Sequence, residues 1–228
     1  MEADSVVTFS GAGLSAESGI ATFRDTETDA LWSRFDPMVL ASPEGFAANP
    51  ERVIDWYAWR RTKLADAQPN PAHLALAGQA DLIHVTQNVD DLSERAGARE
   101  QNILHLHGTI TKDRCHAACG YAEEIDLRNP PGFRQCPNCD GLMRPSVVWF
   151  GEGLPQDVWI RAVEVCRRAD CLIVIGTSAT VYPAAALIEA VHQGGGHIIV
   201  VNTNPSEASK MAAVELTGRA GDIVPRLF

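Results

Sequence analysis

"VVTFSGAGLSAESGIATFRD" (residues 6–25) decides how the chain is read. Val6, Val7, Thr8 and Phe9 form a short, largely apolar run, and Gly11, Gly13 and Ala16 follow it in the spacing G-x-G-x-x-G/A that opens a dinucleotide-binding unit. Ala12 lies between the two glycines, which allow a tight turn and a close approach of the backbone to a pyrophosphate. The continuation departs from the ordinary fingerprint. A second strand ending in an acid about 20 residues on would take the ribose hydroxyls. Instead "TFRDTETDALWSRF" (22–35) is polar, Thr-rich and not strand-like. A nucleotide site is indicated; a plain dehydrogenase is not.

Outward from this loop, apolar runs recur at 81–88 ("DLIHVTQN"), 102–108 ("NILHLHG"), 146–151 ("SVVWFG"), 170–177 ("DCLIVIGT") and 197–204 ("HIIVVNTN"). Helical patterns lie between several of them. Asn49 caps one at 50–67 with Pro50 at its first position, and Asn70 and Pro71 repeat the device at 70–80. Further helices are expected at 89–96, closed by Gly97, at 155–168, and at 183–193, closed by Gly194. Strands alternating with helices predict an α/β fold, a Rossmann-like parallel sheet with helices on both faces. Residues 109–144 break the rhythm, being polar, Cys-containing and rich in turn formers. The expected division is a nucleotide-binding domain at 1–108 and 145–228, and a small inserted module at 109–144 joined by a helical insertion at about 40–68.

The chain has 228 residues, 46% of them hydrophobic, and a net charge of −10. Phosphate backbones need clustered Lys and Arg, so nucleic acid is not expected as a partner. No run approaches 18 apolar residues and the start lacks a signal-peptide pattern, which predicts a cytoplasmic protein without membrane attachment. Four of the six cysteines fall within 115–139. Cys115/Cys119 and Cys136/Cys139, separated by 16 residues, can set four thiolates tetrahedrally around a structural Zn²⁺. The first pair is one residue wider than the second and brackets His116, an alternative ligand. Cys166 and Cys171 read as buried core.

Three further stretches carry polar groups at strand ends, where open α/β sheets bind ligands. "TQNVDDLSERAG" (86–97) offers Gln87, Asn88 and Asp90, suited to ribose hydroxyls and a carboxamide, although Asn88 and Asp90 could equally cap the helix that follows. "LHLHG" (104–108) places His105 and His107 two apart, read as facing opposite sides, so that only one meets a given pocket. His107, beside Gly108, is the candidate general base. "GTSATVYP" (176–183) and "VNTNP" (201–205) present Gly176, Thr177, Ser178, Asn202 and Asn204 for phosphate and ribose, or for ordinary turns.

Together, "GAGLSAESGIATFRD", "TQNVDD", "HLHG", the four cysteines, "RPSVVWFGE", "GTSATVYPA" and "VNTNP" resemble the sirtuin family of NAD-dependent protein lysine deacylases in order and spacing, over roughly residues 5–225. The wording is most similar to the bacterial CobB type, class III. That group carries Tyr-x-x-Arg, supplied here by Tyr57 and Arg60, whose spacing puts phenol and guanidinium on one helix face to bind the carboxylate of a succinyl, malonyl or glutaryl group. An ordinary amphipathic helix would carry the same pair. Ala21 stands where the family usually has Pro, and Ser93 where class III often has His.

The resemblance implies a reaction in which the acyl-lysine carbonyl oxygen attacks C1′ of the nicotinamide ribose. His107 then takes a proton from the ribose hydroxyls. Free lysine, nicotinamide and O-acyl-ADP-ribose are released. Asn88 and Asp90 would join His107 in catalysis, and Ile20 and Asp90 would hold the carboxamide. Phe23 would shield C1′ from water, and Arg24, Gln87 and Asn88 would orient phosphate and ribose. "VVWFGEGLP" (147–155) would face the peptide, with Val148 and Phe150 beside the lysine stem and Gly151 and Glu152 next to them. The expected partners are acyl-lysine-bearing proteins, with the oligomeric state open. Mono-ADP-ribosyl transfer or NAD hydrolysis would use the same activated carbon, and a non-catalytic NAD sensor would need no His107.

Overall fold

The structure is a computed structural model that describes residues 4–21 and 36–228. β1 (Val6–Ser10) leads into two 3₁₀ turns, Ala12–Leu14 and Ala16–Ser18, followed by α1 (Pro37–Leu40), α2 (Pro43–Ala48), α3 (Pro50–Asp66) and α4 (Pro71–Ala77). Each of these helices has Pro in its first turn and a side-chain cap: Asp36, Ser42, Asn49 and Asn70 accept from backbone N–H groups within the first turn. Each cap contributes about 1 kcal/mol. β2 (Ile83–Thr86), α5 (Leu92–Arg95) and β3 (Ile103–His105) follow, then β4 (Gly108–Cys115), β5 (Ala122–Glu124) and β6 (Met143–Val147). The chain ends with α6 (Gln156–Arg168), β7 (Cys171–Ile175), α7 (Ala186–Gln193), β8 (His197–Asn202), β9 (Val214–Thr217) and α8 (Ala220–Ile223).

The main sheet is parallel, in the order β3-β2-β1-β7-β8-β9. Alternate residues of its strands serve two cores, since successive side chains point to opposite faces. Phe9, Val85, Leu172, Val174 and Val200 pack with α6 and α7. Ile173, Ile175 and Val201 pack with Ala72 and Leu76 of α4 and with Val224. Strand order reverses between β1 and β7, and a crevice opens at such a reversal, beyond the strands' carboxyl ends. β4, β5 and β6 form a separate antiparallel sheet in the order β5-β4-β6. Ile110, Val147 and Trp149 share a third core with Phe46, Val53, Trp56 and Tyr57, so α2 and α3 are packed around that sheet.

Several expected boundaries shift. The run 146–151 does not extend the parallel sheet: β6 ends at Val147 and pairs antiparallel with β4. The chain then turns, with Gly151 at φ +87 and the Trp149 N–H bonded to the Glu152 carboxylate at 2.8 Å. β4 lies where only an irregular module was expected, and β3 stops at His105 rather than 108. The helices expected at 89–96 and 183–193 start later, at Leu92 and Ala186. The stretch 22–35, read from sequence as not strand-like, lies outside the described residues; from Pro37 to Ala77 the chain forms the four helices α1–α4, and the next described strand begins at Ile83.

Two buried histidines lie inside this frame. His84 contacts Thr8 Oγ1 through Nδ1 at 2.7 Å and Ser10 Oγ through Nε2 at 3.2 Å. His73 completes the capping box of α4 by accepting the Asn70 N–H. Burial pushes their pKa values down, to about 3 for His84 and about 4 for His73, from 6.5. The unfolded chain therefore binds more protons as pH falls below 6.5, and the stability of burying these rings uncharged is present above that value and lost below it. His73→Gln keeps a residue type suited to the reciprocal cap. It is expected to lose less stability between pH 7 and pH 5 than the unaltered chain, by about 1–2 kcal/mol, in urea titrations at the two pH values. An equal loss in both proteins would contradict this.

Candidate active site

The crevice is built on a backbone contact. The Gly13 N–H donates to the Gly176 carbonyl at 2.8 Å and the Gly11 N–H to the Ile175 carbonyl at 3.0 Å. A Cβ on Gly13 would lie 2.6 Å from Gly176 Cα, and Gly176 has φ +58, so both positions require glycine. Gln87 Nε2 donates to Thr177 Oγ1 at 2.9 Å and to the Ser10 carbonyl at 3.3 Å, tying the ends of β1, β2 and β7 together. Asn202 Nδ2 donates to the Thr177 carbonyl at 3.0 Å. Ser178 bonds Thr180 at 2.9 Å, and Asn204, exposed at the next turn, donates to Thr203 Oγ1 at 3.2 Å. The glycines, Ala12, Gln87, Thr177 and Asn202 therefore meet along the crest of the sheet. Phe23 and Arg24 lie outside the described residues.

Ser15 is the junction of the loop with the rest of the crevice. Fully buried, it donates to Asp90 Oδ2 at 3.0 Å and accepts from Asn88 Nδ2 at 3.0 Å, with His73 Nε2 at 3.4 Å. Asn88 thus turns its amide to the loop instead of capping α5, whereas Asp90 Oδ1 also accepts the Leu92 N–H at 3.3 Å. Burial raises the Asp90 pKa, opposed by the bonds from Ser15 and Leu92. Ile20 packs against the third core, below the loop.

His105 and His107 do not face opposite sides as expected: residues two apart in extended backbone share a face, and His107, in the turn just beyond β3, still points its ring at the segment that His105 contacts. Their rings hold successive carbonyls of one segment: His107 Nδ1 meets Gln87 O at 3.0 Å and His105 Nδ1 meets Asn88 O at 2.9 Å. A carbonyl only accepts, so both Nδ1 atoms carry hydrogen. Burial lowers the His107 pKa, against the Gln87 bond that raises it. His107 is therefore the neutral Nδ1–H tautomer near pH 7, with a lone pair at Nε2. His105 differs in having Glu94 Oε1 2.7 Å from its Nε2.

Tyr57 and Arg60 lie one turn apart on α3. Tyr57 is buried and accepts from Trp149 Nε1 at 3.0 Å. The half-buried Arg60 guanidinium lies 4.8 Å from the Trp56 ring and 5.5 Å from the Tyr57 ring. Burial lowers the Arg60 pKa, opposed by its interactions with Tyr57 and by the negative charge of Asp90. Across from it, the Val148 N–H donates to the His107 carbonyl at 2.9 Å. Phe150 is exposed and follows the Trp149 anchor; Gly151 makes the turn. The Glu152 carboxylate is occupied within the protein: it accepts from Arg144 at 2.5 and 3.0 Å, from the Trp149 N–H, and from Arg114 at 3.3 Å. Ser15, His73, Arg144 and Trp149 were not singled out from sequence. Only Ser15 carried a local signal, its place inside the glycine loop.

At the end of β4 the four cysteines gather, all sulfurs within 4.8 Å of one another. Cys115–Cys139 and Cys119–Cys136 lie at 3.4 and 3.6 Å, too long for disulfides at about 2.0 Å. They fit a tetrahedron of Zn–S bonds of about 2.3 Å, which leaves no open position for chemistry. The His116 ring instead packs 5.0 Å from Phe46.

The Sir2 family model matches residues 11–183. The chain is 47% identical to NAD-dependent protein deacylase 1 of Archaeoglobus fulgidus, over 99% of this chain and 92% of that protein. It is 46% identical to the NAD-dependent protein deacylase Sir2 of Mycolicibacterium smegmatis, over 98% and 95%. Among solved structures, a Sir2 homologue in complex with NAD superposes with a TM-score of 0.90 at 46% identity, covering 99% of this chain and 88% of that one. A Sir2–p53 peptide–NAD⁺ complex gives 0.83 at 30% identity, covering 99% and 92%.

The sulfur geometry predicts about one zinc per chain in elemental analysis of the purified protein. Cys136→Ser should lose the metal and lower the thermal midpoint, while His116→Ala should retain it. Full zinc in Cys136→Ser, or its loss in His116→Ala, would contradict the four-thiolate set.

Proposed function

This chain belongs to the Sir2 family and is an NAD-dependent protein-lysine deacylase, and we propose that His107, Asn88 and Asp90 form its catalytic centre. The carrying observation is the His107 ring, fixed through Nδ1 by the Gln87 carbonyl so that Nε2 keeps its basic lone pair, with no hydrogen-bond partner among the described residues. Bound NAD supplies a sugar carbon from which nicotinamide departs readily. The residues supply the rest. Ile20 and Asp90 hold the carboxamide, and Asp90 is itself held by Ser15. Gln87 and Asn88 orient the ribose; Arg24 and Phe23, which lie outside the described residues, are assigned from the family resemblance to orient the phosphate and to shield the sugar carbon from water. His107 Nε2 takes the hydroxyl proton once the acyl oxygen has engaged the sugar, which is general-base work at ordinary pH. Gly11, Ala12, Gly13, Gly176, Thr177, Ser178, Asn202 and Asn204 serve phosphates and adenosine.

The acyl group enters between α3 and the turn after β6. Tyr57 receives a hydrogen bond from Trp149, so its own O–H remains to be donated, and Arg60 adds a cation beside it. Such a pair suits an acyl chain ending in a carboxylate. β6 is the outer strand of the small sheet. An extended peptide pairing along this edge would pass Val148 and Phe150, with Gly151 and Glu152 shaping the turn. The parts then divide into a nucleotide-binding domain and a smaller unit of 109–144 with the helices of 40–68. No helix among the described residues is long and apolar enough to cross a membrane, and four thiolates free for metal suit the reducing cytoplasm.

His107→Gln should lower deacylation of an acyl-lysine peptide by at least about a hundredfold. In the unaltered enzyme kcat/KM should fall on acidification with a midpoint below 6.5, because burial depresses the His107 pKa and its protonation removes the base. A midpoint above 6.5, or an active His107→Gln, would contradict this role. Tyr57→Phe and Arg60→Met should each reduce desuccinylation by about tenfold or more, with deacetylation within about twofold. Parallel losses on both substrates would remove the acyl-pocket assignment.

A further inference from the structure

His105 sits behind the site just described, on the last residue of β3, and the hydrogen-bond chemistry of its ring is over-determined. Nδ1 faces the Asn88 carbonyl at 2.9 Å and must donate to it. Nε2 faces Glu94 Oε1 at 2.7 Å, a contact that also needs a hydrogen between the two atoms. A neutral imidazole carries only one N–H, so the pair holds one proton more than a neutral ring beside a carboxylate. Imidazole is ordinarily the stronger base, which puts that proton on His105. The other Glu94 oxygen, Oε2, is buried and has no hydrogen-bond partner among the described residues. The carboxylate is thus tied to the rest of the protein through this ring.

The surrounding groups agree. Burial opposes charge on His105, but the Glu94 bond and charge, the Asn88 carbonyl and the charge of Asp90 outweigh it and raise the pKa. His84 on β2, which faces the ring from the sheet, is buried and neutral. His107, two residues on, is neutral as well. The held segment is short: Asn88 O is fixed by His105, Asn88 Nδ2 by Ser15, and the preceding carbonyl by His107.

We propose that His105, as an imidazolium paired with Glu94, is a positioning residue that fixes the Asn88 backbone and thereby sets Asn88 and Asp90 for the nicotinamide ribose. The inference rests on the reading of Asn88 and Asp90 as catalytic. Its physical part, the protonated clamp, stands apart from that reading. Loss of the proton forces the ring to give up either Asn88 or Glu94, so the segment loosens above the His105 pKa.

The experiment has two arms on the full-length zinc-loaded protein. Nitrogen NMR of the histidine rings should show both His105 nitrogens protonated at pH 7, with the Asn88 amide signals following the same titration. Glu94→Gln should move that titration down by about one pH unit or more. A neutral His105 at pH 7, or Asn88 signals indifferent to it, overturns the clamp whether or not the protein turns over NAD. In steady-state kinetics, His105→Leu should raise KM for NAD about tenfold while KM for the acyl peptide stays within about twofold. His105→Asn, which keeps a donor near the Nδ1 position, should recover most of the loss. Equal rises in both KM values, or no recovery in His105→Asn, overturn positioning in favour of general loosening. Should His105→Leu not fold, Glu94→Gln decides through the alkaline limb of kcat/KM for NAD, which must shift to lower pH. An unshifted limb overturns the proposal.

Discussion

Everything in the crevice depends on two backbones meeting where strand order reverses. The Gly13 N–H is 2.8 Å from the Gly176 carbonyl, and neither residue has room for a Cβ. This contact locks the loop after β1 to the loop after β7 and leaves the amides of both turns along the crest, where a pyrophosphate can approach. A side chain at either glycine would push the loops apart by a carbon's width. Ser15, two residues beyond Gly13, would then leave its hydrogen-bonding distance from Asp90 and Asn88.

From that contact a continuous polar path runs through the interior. Thr8, Ser10, His84 and Thr86 bond one another within the sheet, and Thr86 Oγ1 accepts the Asn88 N–H at 3.0 Å. Asn88 continues to Ser15, and Ser15 to Asp90 and His73. Buried polar groups joined in this way fix one arrangement, since any slip leaves a donor or acceptor unsatisfied at a cost of about 1–3 kcal/mol. The small sheet is fixed differently. Arg61 of α3 reaches Asp113 of β4 at 2.6 Å with both side chains buried, and donates to the Ile110 carbonyl at 2.8 Å. That anchor sets α3, and hence Tyr57 and Arg60, against β4 and against His107, which precedes it.

Much of this was legible because local chemistry and fold agree. The glycine spacing, the Asn-Pro helix starts, the apolar runs at 170–177 and 197–204 and the paired cysteines each need only neighbours in sequence to be read. What was misread depends on distant partners. Trp149 continues an apolar run, yet its N–H is taken by Glu152 and its ring is covered by Arg144, so the run bends instead of extending. The strand at 108–115 buries only Ile110, Asp113 and Cys115, without a strict alternation, and was hidden by the turn-rich composition around it. The pairing of His105 with Glu94 is a contact between a strand and a helix eleven residues apart, which no local pattern marks.

The claim that organises these features is that His107 serves acyl transfer to an NAD-derived sugar. The most direct measurement incubates the purified protein with NAD and a peptide carrying acetyl-lysine or succinyl-lysine, following all products by mass spectrometry. The account predicts equal amounts of nicotinamide, deacylated peptide and O-acyl-ADP-ribose, with succinyl removed in preference to acetyl. Nicotinamide released while the peptide keeps its acyl group would contradict it and identify ADP-ribosyl transfer or NAD hydrolysis instead.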